Sequence, residues 1–193
     1  MRHPRLQIIF GSTRPGRRGP AVADWFLARA REHAGFDCEL VDFAEVAPPL
    51  LDEPRPPQHG RYAHDHTRRW SEIVSVADAY VFVVPEYNHS FNAATKNALD
   101  YLAGEWAGKP FAFVGYGGLA AGARAVQGLL PVVTGLGMLP VAGSVHIPHV
   151  RRSFTTSGRF EAAAGLEQSA VGVLDGLLQI TEATAAARTP ITI

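Results

Sequence analysis

Between residues 8 and 21 the chain reads IIFGSTRPGRRGPA, an apolar run that ends in glycine and opens into hydroxyls and arginines. Ser12 and Thr13 bring hydroxyl groups, Arg14 and Arg17 bring charge-assisted donors, and Gly11 and Gly16 let the backbone approach a ligand closely. A helix that begins just beyond such a loop adds unpaired backbone N–H groups. Together these groups suit a phosphate monoester and need no metal. The competing use of the same residues is a solvated turn with its arginines in water. Placement directly after a first buried strand favours the anion site.

The spacing of Gly11 and Gly16 also fits G-x-x-x-x-G-K-[ST], the loop of nucleotide triphosphatases. Arg17 and Arg18 occupy the lysine and Ser/Thr positions, which removes the magnesium-ligating hydroxyl. That activity is set aside. A second polar group stands in PEYNHSFNAATKNALDYL, residues 85–102. Pro85 lacks an N–H and fits where a sheet ladder ends, and Glu86 to Ser90 follow as a polar loop. A third is YGGLAAGARA at 116–125, where Gly117 and Gly118 permit a flat ligand to lie against the backbone.

The elements that must position these loops follow from apolar periodicity. Strands are expected at 6–10, 38–43, 79–84, 111–115 and 139–147, and helices at about 19–33, 64–77, 92–103, 120–135 and 161–187. Five strands alternating with five helices predict a parallel sheet with helices on both faces. Weak alternation in Val-, Ile- and Phe-rich strands predicts burial on both sides. Ligands of such sheets lie outside the carboxyl ends of the strands, so the loops after strands one, three and four should carry the chemistry. The stretch 44–60, with PPLLDEPRPP, is too rich in proline for regular structure. The 92–103 helix is apolar around much of its circumference and should meet a second packed surface, such as another subunit.

A chain of 193 residues suits one domain, and 47% apolar with 19% charged residues marks an ordinary globular protein. Zero net charge argues against a nucleic-acid or anionic-membrane binder. The charge is nonetheless uneven: residues 1–31 hold seven arginines and one acid, Asp24. One cysteine, Cys38, excludes an internal disulfide and a multi-cysteine metal site. The 6–10 run is too short for a secretory signal, and Pro131, Pro140 and several glycines break the uncharged stretch 125–150. A cytoplasmic protein is expected.

GSTRPGR at 11–17, PEYN at 85–88 and KNALDYL at 96–102 resemble the NADPH-dependent FMN reductase family, a flavodoxin-like group. YGGLAAGARA at 116–125 and LLDEP at 50–54 are similar to that family as well, in order over nearly the whole chain. The resemblance implies a single flavodoxin-like domain over 1–193, three layers deep, with a five-stranded parallel sheet in the order 2-1-3-4-5. It implies FMN as cofactor, with Ser12, Arg14 and Arg17 at its phosphate, although the family often has serine at position 17. Pro85, Glu86, Tyr87 and Asn88 would line the isoalloxazine largely through backbone groups, and Tyr116, Gly117 and Gly118 would meet its other side. Hydride would pass from NADPH or NADH through the flavin to a flavin, quinone, azo or similar acceptor, with no catalytic side chain and no metal. A homodimer or homotetramer is implied, without nucleic-acid or membrane partners.

An FMN-binding electron carrier without nicotinamide turnover is the alternative from another class; the basic stretch 1–31 favours the enzyme. Arg17, Arg18 and Arg124 are candidates for a 2′-phosphate site that would separate NADPH from NADH. His64 with His66, and His146 with His149, lack the further ligands that zinc requires. No G-x-S-x-G elbow accompanies His89, Ser90 and Asp100, so a hydrolase is set aside.

Overall fold

In a computed structural model, which describes residues 2–187, the strands follow the alternation expected from sequence. The order is β1 (Arg5–Phe10), α1 (Gly19–His33), β2 (Asp37–Asp42), α2 (Phe43–Val46), α3 (Asp65–Ser75) and β3 (Ala79–Pro85). Then come α4 (Ala93–Asp100), β4 (Pro110–Tyr116), α5 (Ala123–Gly135), β5 (Leu139–Pro140), β6 (Val145–Ile147) and α6 (Ala164–Thr184). All strand pairings are parallel, and the sheet runs β2-β1-β3-β4-β5, with β6 also on β4. The 2-1-3-4-5 order is therefore borne out.

The fifth strand is where the structure departs from the periodicity. Pro140 offers no N–H to continue the ladder, and Gly143 sits at φ +93. Between the two pairings, Phe111 to Val114 on β4 faces Pro140 to Val145, two residues more. The surplus bulges out, and one expected strand becomes β5 and β6. The last helix likewise begins at Ala164 rather than 161, because Phe154 and Phe160 form a bridge just before it.

Strand alternation divides the core into two unlike halves. Ala79, Val81 and Val83 of β3, with Ala112, Val114 and Tyr116 of β4, face α1 and α6. Tyr80, Phe82, Phe111 and Phe113 point the other way, against α3, α4 and α5. There Trp106 packs edge-on against Tyr80 at 5.1 Å and Trp70 at 6.0 Å, all three fully buried. Each such ring contributes roughly 1.5–3 kcal/mol of burial. The 125–150 stretch is accounted for by α5 running into the sheet edge, and no helix among the described residues is long and apolar enough to cross a membrane.

The proline-rich segment is a strap laid along α4. Asn97 binds it at both ends of its amide, accepting from Leu51 N at 2.9 Å and donating to the Pro49 carbonyl at 2.7 Å. Tyr101 donates to Asp52, and Glu53 accepts from the Ala63 and His64 amides at the start of α3. The strap also engages His64 and His66. His66 bonds Asp52 at 3.0 Å and stacks on His64, which caps nothing with its side chain.

Candidate functional site

The first loop is shaped by its backbone and then locked by side chains. Arg14 to Arg17 close a turn through Arg17 N to Arg14 O at 3.0 Å, with Pro15 and Gly16 as its central pair and Gly16 at φ +67. Proline followed by a positive-φ glycine is the sequence of a type II turn. Gly11 continues the ladder to the Val83 carbonyl, while its own carbonyl accepts from the buried Asn92 side chain at 2.5 Å. Thr95 donates to Asn92 at 2.8 Å and packs so closely that a Cβ on Gly11 would overlap its hydroxyl. The glycine is required by α4, not only by a ligand. Asn92 and Thr95, absent from the expected site, are the residues that hold the loop in place.

Arg17 is spent within this scaffold. Its guanidinium makes paired hydrogen bonds to Asp42 at the end of β2, reaches the Ser12 carbonyl at 2.7 Å and lies over the Phe10 ring. The bond to Asp42 strengthens its hold on the proton. Arg14 has no such partner and is exposed. Helix α1 starts at Gly19-Pro20 without a side-chain cap, so its first N–H groups face the loop unclaimed by a side chain.

The second loop is a tight reversal. Tyr87 and Ser90 exchange backbone hydrogen bonds at 2.9 and 3.0 Å, and Asn88 and His89 between them both have positive φ. Two positive φ values make a type I′ turn, which asparagine and histidine tolerate better than most residues. Glu86 N bonds the Tyr116 carbonyl, and the Glu86 carboxylate is nearly buried against Arg124 at 2.9 Å. The first two loops are tied together by Ser12 Oγ and the Tyr87 hydroxyl at 2.8 Å. The third loop, Gly117-Gly118, is fixed from beyond β6: Gly117 N bonds the Ile147 carbonyl, and the His149 and Val150 amides bond Gly118 and Gly117.

These loops enclose a cleft of about 630 Å³ at the carboxyl edge of the sheet. Arg14, Arg17, Pro85, Glu86, Tyr87, Tyr116, Gly117 and Gly118 all line it. Ser12 lies beneath, fully buried, and Asn88 stands exposed at the turn tip; neither lines the cleft. The wall missed from sequence is His149 to Arg152, a turn after β6 that begins with His149 at φ +45. Its signal was available, since two arginines directly after the last strand also lie at a carboxyl end.

Tyr116 stands out in the cleft floor. Its side chain is 5% exposed, and its hydroxyl lies beside Ser12 without a hydrogen bond of good geometry to any described residue. It lies 2.9 Å from where a Cβ on Gly19 would sit, so it abuts the start of α1. Burial, then the neighbouring Tyr87, push its ionisation well above the usual phenol range, so it stays a neutral donor. Elsewhere, Asp100 is held by Lys96, and burial pushes the Cys38 thiol up to about 11. Among the described residues no three His, Cys, Asp or Glu side chains are grouped to hold a metal ion.

An anion loop after β1, a cleft where strand order reverses between β1 and β3, and a glycine wall after β4 define a doubly wound domain arranged for a phosphate-bearing ligand. Comparison with known proteins narrows the class. Residues 4–151 match the model of the NADPH-dependent FMN reductases, and the chain belongs to that family. It is 40% identical over 126 residues to an NAD(P)H-dependent FMN reductase of Schizosaccharomyces pombe, covering 64% of this chain and 63% of that protein. With LOT6, an NAD(P)H-dependent FMN reductase of Saccharomyces cerevisiae, identity is 38% over 157 residues, 75% of this chain and 81% of that one. The chain thus matches less than two thirds of the fission-yeast protein's length. In structure it is similar to FerB, a flavoenzyme NAD(P)H:(acceptor) oxidoreductase from Paracoccus denitrificans. The TM-score is 0.73 at 18% identity, over 93% of this chain and 98% of that one, a likeness of fold.

Proposed function

We propose that the protein is an NAD(P)H-dependent oxidoreductase that holds FMN in this cleft and passes reducing equivalents to a flavin, quinone, azo or similar small acceptor. The observation that carries the reading is the buried Tyr116 hydroxyl, without a well-formed hydrogen bond because its neighbour Ser12 is engaged with Tyr87, beneath a cationic loop at the start of a helix. A buried donor without a partner costs about 1–3 kcal/mol, and a phosphate or ribityl oxygen placed there would relieve it. The residues therefore fit FMN. Arg14 and the first N–H groups of α1 would hold the phosphate, with Ser12 and Arg17 shaping the loop beneath it. Pro85 to Tyr87 would line one side of the ring system through backbone groups, and Tyr116 to Gly118 the other, with Asn88 outside the cleft at the turn tip. When bound there, FMN would supply the hydride-transfer chemistry between NADPH or NADH and the acceptor.

The chain's own residues position and shield. The Tyr87–Ser12 bond fixes the spacing of two loops, and the Glu86–Arg124 pair keeps a buried carboxylate from facing the anion with its charge unpaired. A homodimer or homotetramer goes with this reading, and Leu50 and Leu119, both more than 80% exposed, are apolar surface available to it. The test is the visible band of bound flavin and its bleaching by NADPH or NADH without oxygen. Bound flavin that bleaches within seconds is the expected result. Flavin that binds and stays oxidised would make the protein a carrier, and no binding would overturn the reading.

A further inference from the structure

The cleft holds more positive charge than one phosphate uses. Five arginines line it: Arg14, Arg17, Arg18, Arg151 and Arg152. Arg17 is neutralised by Asp42, and the one lining carboxylate, Glu86, by Arg124. A phosphate monoester brings about −1.5 to −2 charges, against Arg14 and about +0.5 from the helix N-terminus. Arg18, Arg151 and Arg152 remain. Among the described residues none of the three forms an ion pair with a carboxylate. The acid that follows them in sequence, Glu161, is engaged by Arg159.

Geometry shows that these three belong to one surface. Arg18 lies over the Phe154 ring at 4.5 Å, which joins the first loop to the turn after β6. That turn is anchored to the glycine wall by the His149 and Val150 amides, and Val150 is buried, so the exposed Arg151 and Arg152 sit on a fixed base. The structure assigns this trio, led by Arg151 and Arg152, to the 2′-phosphate of NADPH, a specificity-determining subsite beside the FMN phosphate seat and sharing only Arg18 with its loop. Guanidinium forks suit a terminal monoester, with three oxygens and up to two charges on one phosphorus, better than the internal pyrophosphate, with two oxygens and one charge on each. Of the three arginines that sequence offered for this task, Arg17 and Arg124 are already paired, and only Arg18 stays. The assignment rests on the flavin reading above.

The experiment uses the FMN-loaded protein and an R151Q/R152Q variant, with R151K/R152K as the conservative partner. Calorimetry measures binding of 2′,5′-ADP against 5′-AMP, and steady-state rates give KM for NADPH and NADH. In the parent protein 2′,5′-ADP should bind more tightly than 5′-AMP. The glutamine variant should lose that difference and raise KM for NADPH on the order of 10- to 100-fold, with KM for NADH and FMN affinity unchanged. The lysine variant should recover part of it. Equal losses with NADPH and NADH, weakened FMN binding, or an unaltered preference would each overturn the subsite. A parent protein that takes up no flavin fails earlier, and it is the flavin reading, with the subsite built on it, that falls.

Discussion

The two basic walls of the cleft are built on opposite principles. In the 11–18 loop the groups that set its shape are engaged within the protein. Asn92 and Thr95 clamp Gly11, Ser12 meets Tyr87, and Arg17 is bound to Asp42. In the 149–152 turn the backbone is fixed to Gly117 and Gly118, while the Arg151 and Arg152 side chains are left exposed. The first wall is a preorganised seat whose rigidity lowers the ordering cost of binding. The second is unspent charge on a rigid mount. Substitutions in the first wall should therefore damage fold and ligand together, and those in the second should alter ligand choice alone.

The largest effect is expected from Gly11→Val. A Cβ there overlaps Thr95 Oγ1 and comes within 3.2 Å of Asn92 Oδ1. Overpacking a buried site costs about 1–3 kcal/mol, and displacing the Asn92 clamp adds to it. Thermal unfolding should fall by roughly 6–12 °C, and FMN affinity by on the order of 100-fold or more. Gly11→Ala combined with Thr95→Ala should recover much of the loss, because the offending hydroxyl is gone. A single variant as stable as the parent would show that α4 yields and that the seat is softer than its contacts imply. As a contrast from the other wall, R151Q/R152Q should shift stability by no more than about 0.5 kcal/mol.

Asp42→Asn should come next. Arg17 keeps a hydrogen-bond acceptor but loses its counter-charge, and with its side chain 21% exposed it can reach water in part. A loss of about 1–2 kcal/mol is expected, below that of a fully buried pair. If Arg17 is scaffold, equilibrium titration should show FMN affinity reduced about tenfold with the loosened loop. An increase in affinity would mean that the freed guanidinium goes to the phosphate, and the division between the walls would then fail.

How much of this was legible beforehand depends on whether a feature is local. Pro15-Gly16 announced a turn, and apolar runs announced the strands that carry the loops. The α1 boundaries agreed with the reading because Gly19-Pro20 is a local start signal. Asp42 as the partner of Arg17 lies 25 residues away and depends on β2 pairing with β1. Asn92 reaching the Gly11 carbonyl across 81 residues was equally out of reach. The split of the fifth strand depended on how two surplus residues would be absorbed at a sheet edge. The 149–152 wall was missed for another reason. Its position after a strand is readable, but two plain arginines carry no glycine or hydroxyl pattern that marks a ligand loop.

Tyr116 supplies the smallest and most diagnostic test of the seat, because its two expected effects have opposite signs. Without FMN, Tyr116→Phe removes a buried hydroxyl that lies beside Ser12 without a well-formed bond, so stability should stay level or rise by up to about 1 kcal/mol. With FMN the same hydroxyl has a use, and its loss should weaken binding about 3- to 10-fold. Thermal melts of the variant with and without FMN therefore converge from both ends: the free protein melts no lower than the parent, and the loaded protein gains less. Burial keeps the phenol protonated, so this difference should be the same at pH 6 and pH 9. A variant that is destabilised without FMN would show that the hydroxyl is already satisfied inside the protein. The floor of the cleft would then be finished structure, and Arg14 with the α1 N-terminus would have to bind the phosphate alone.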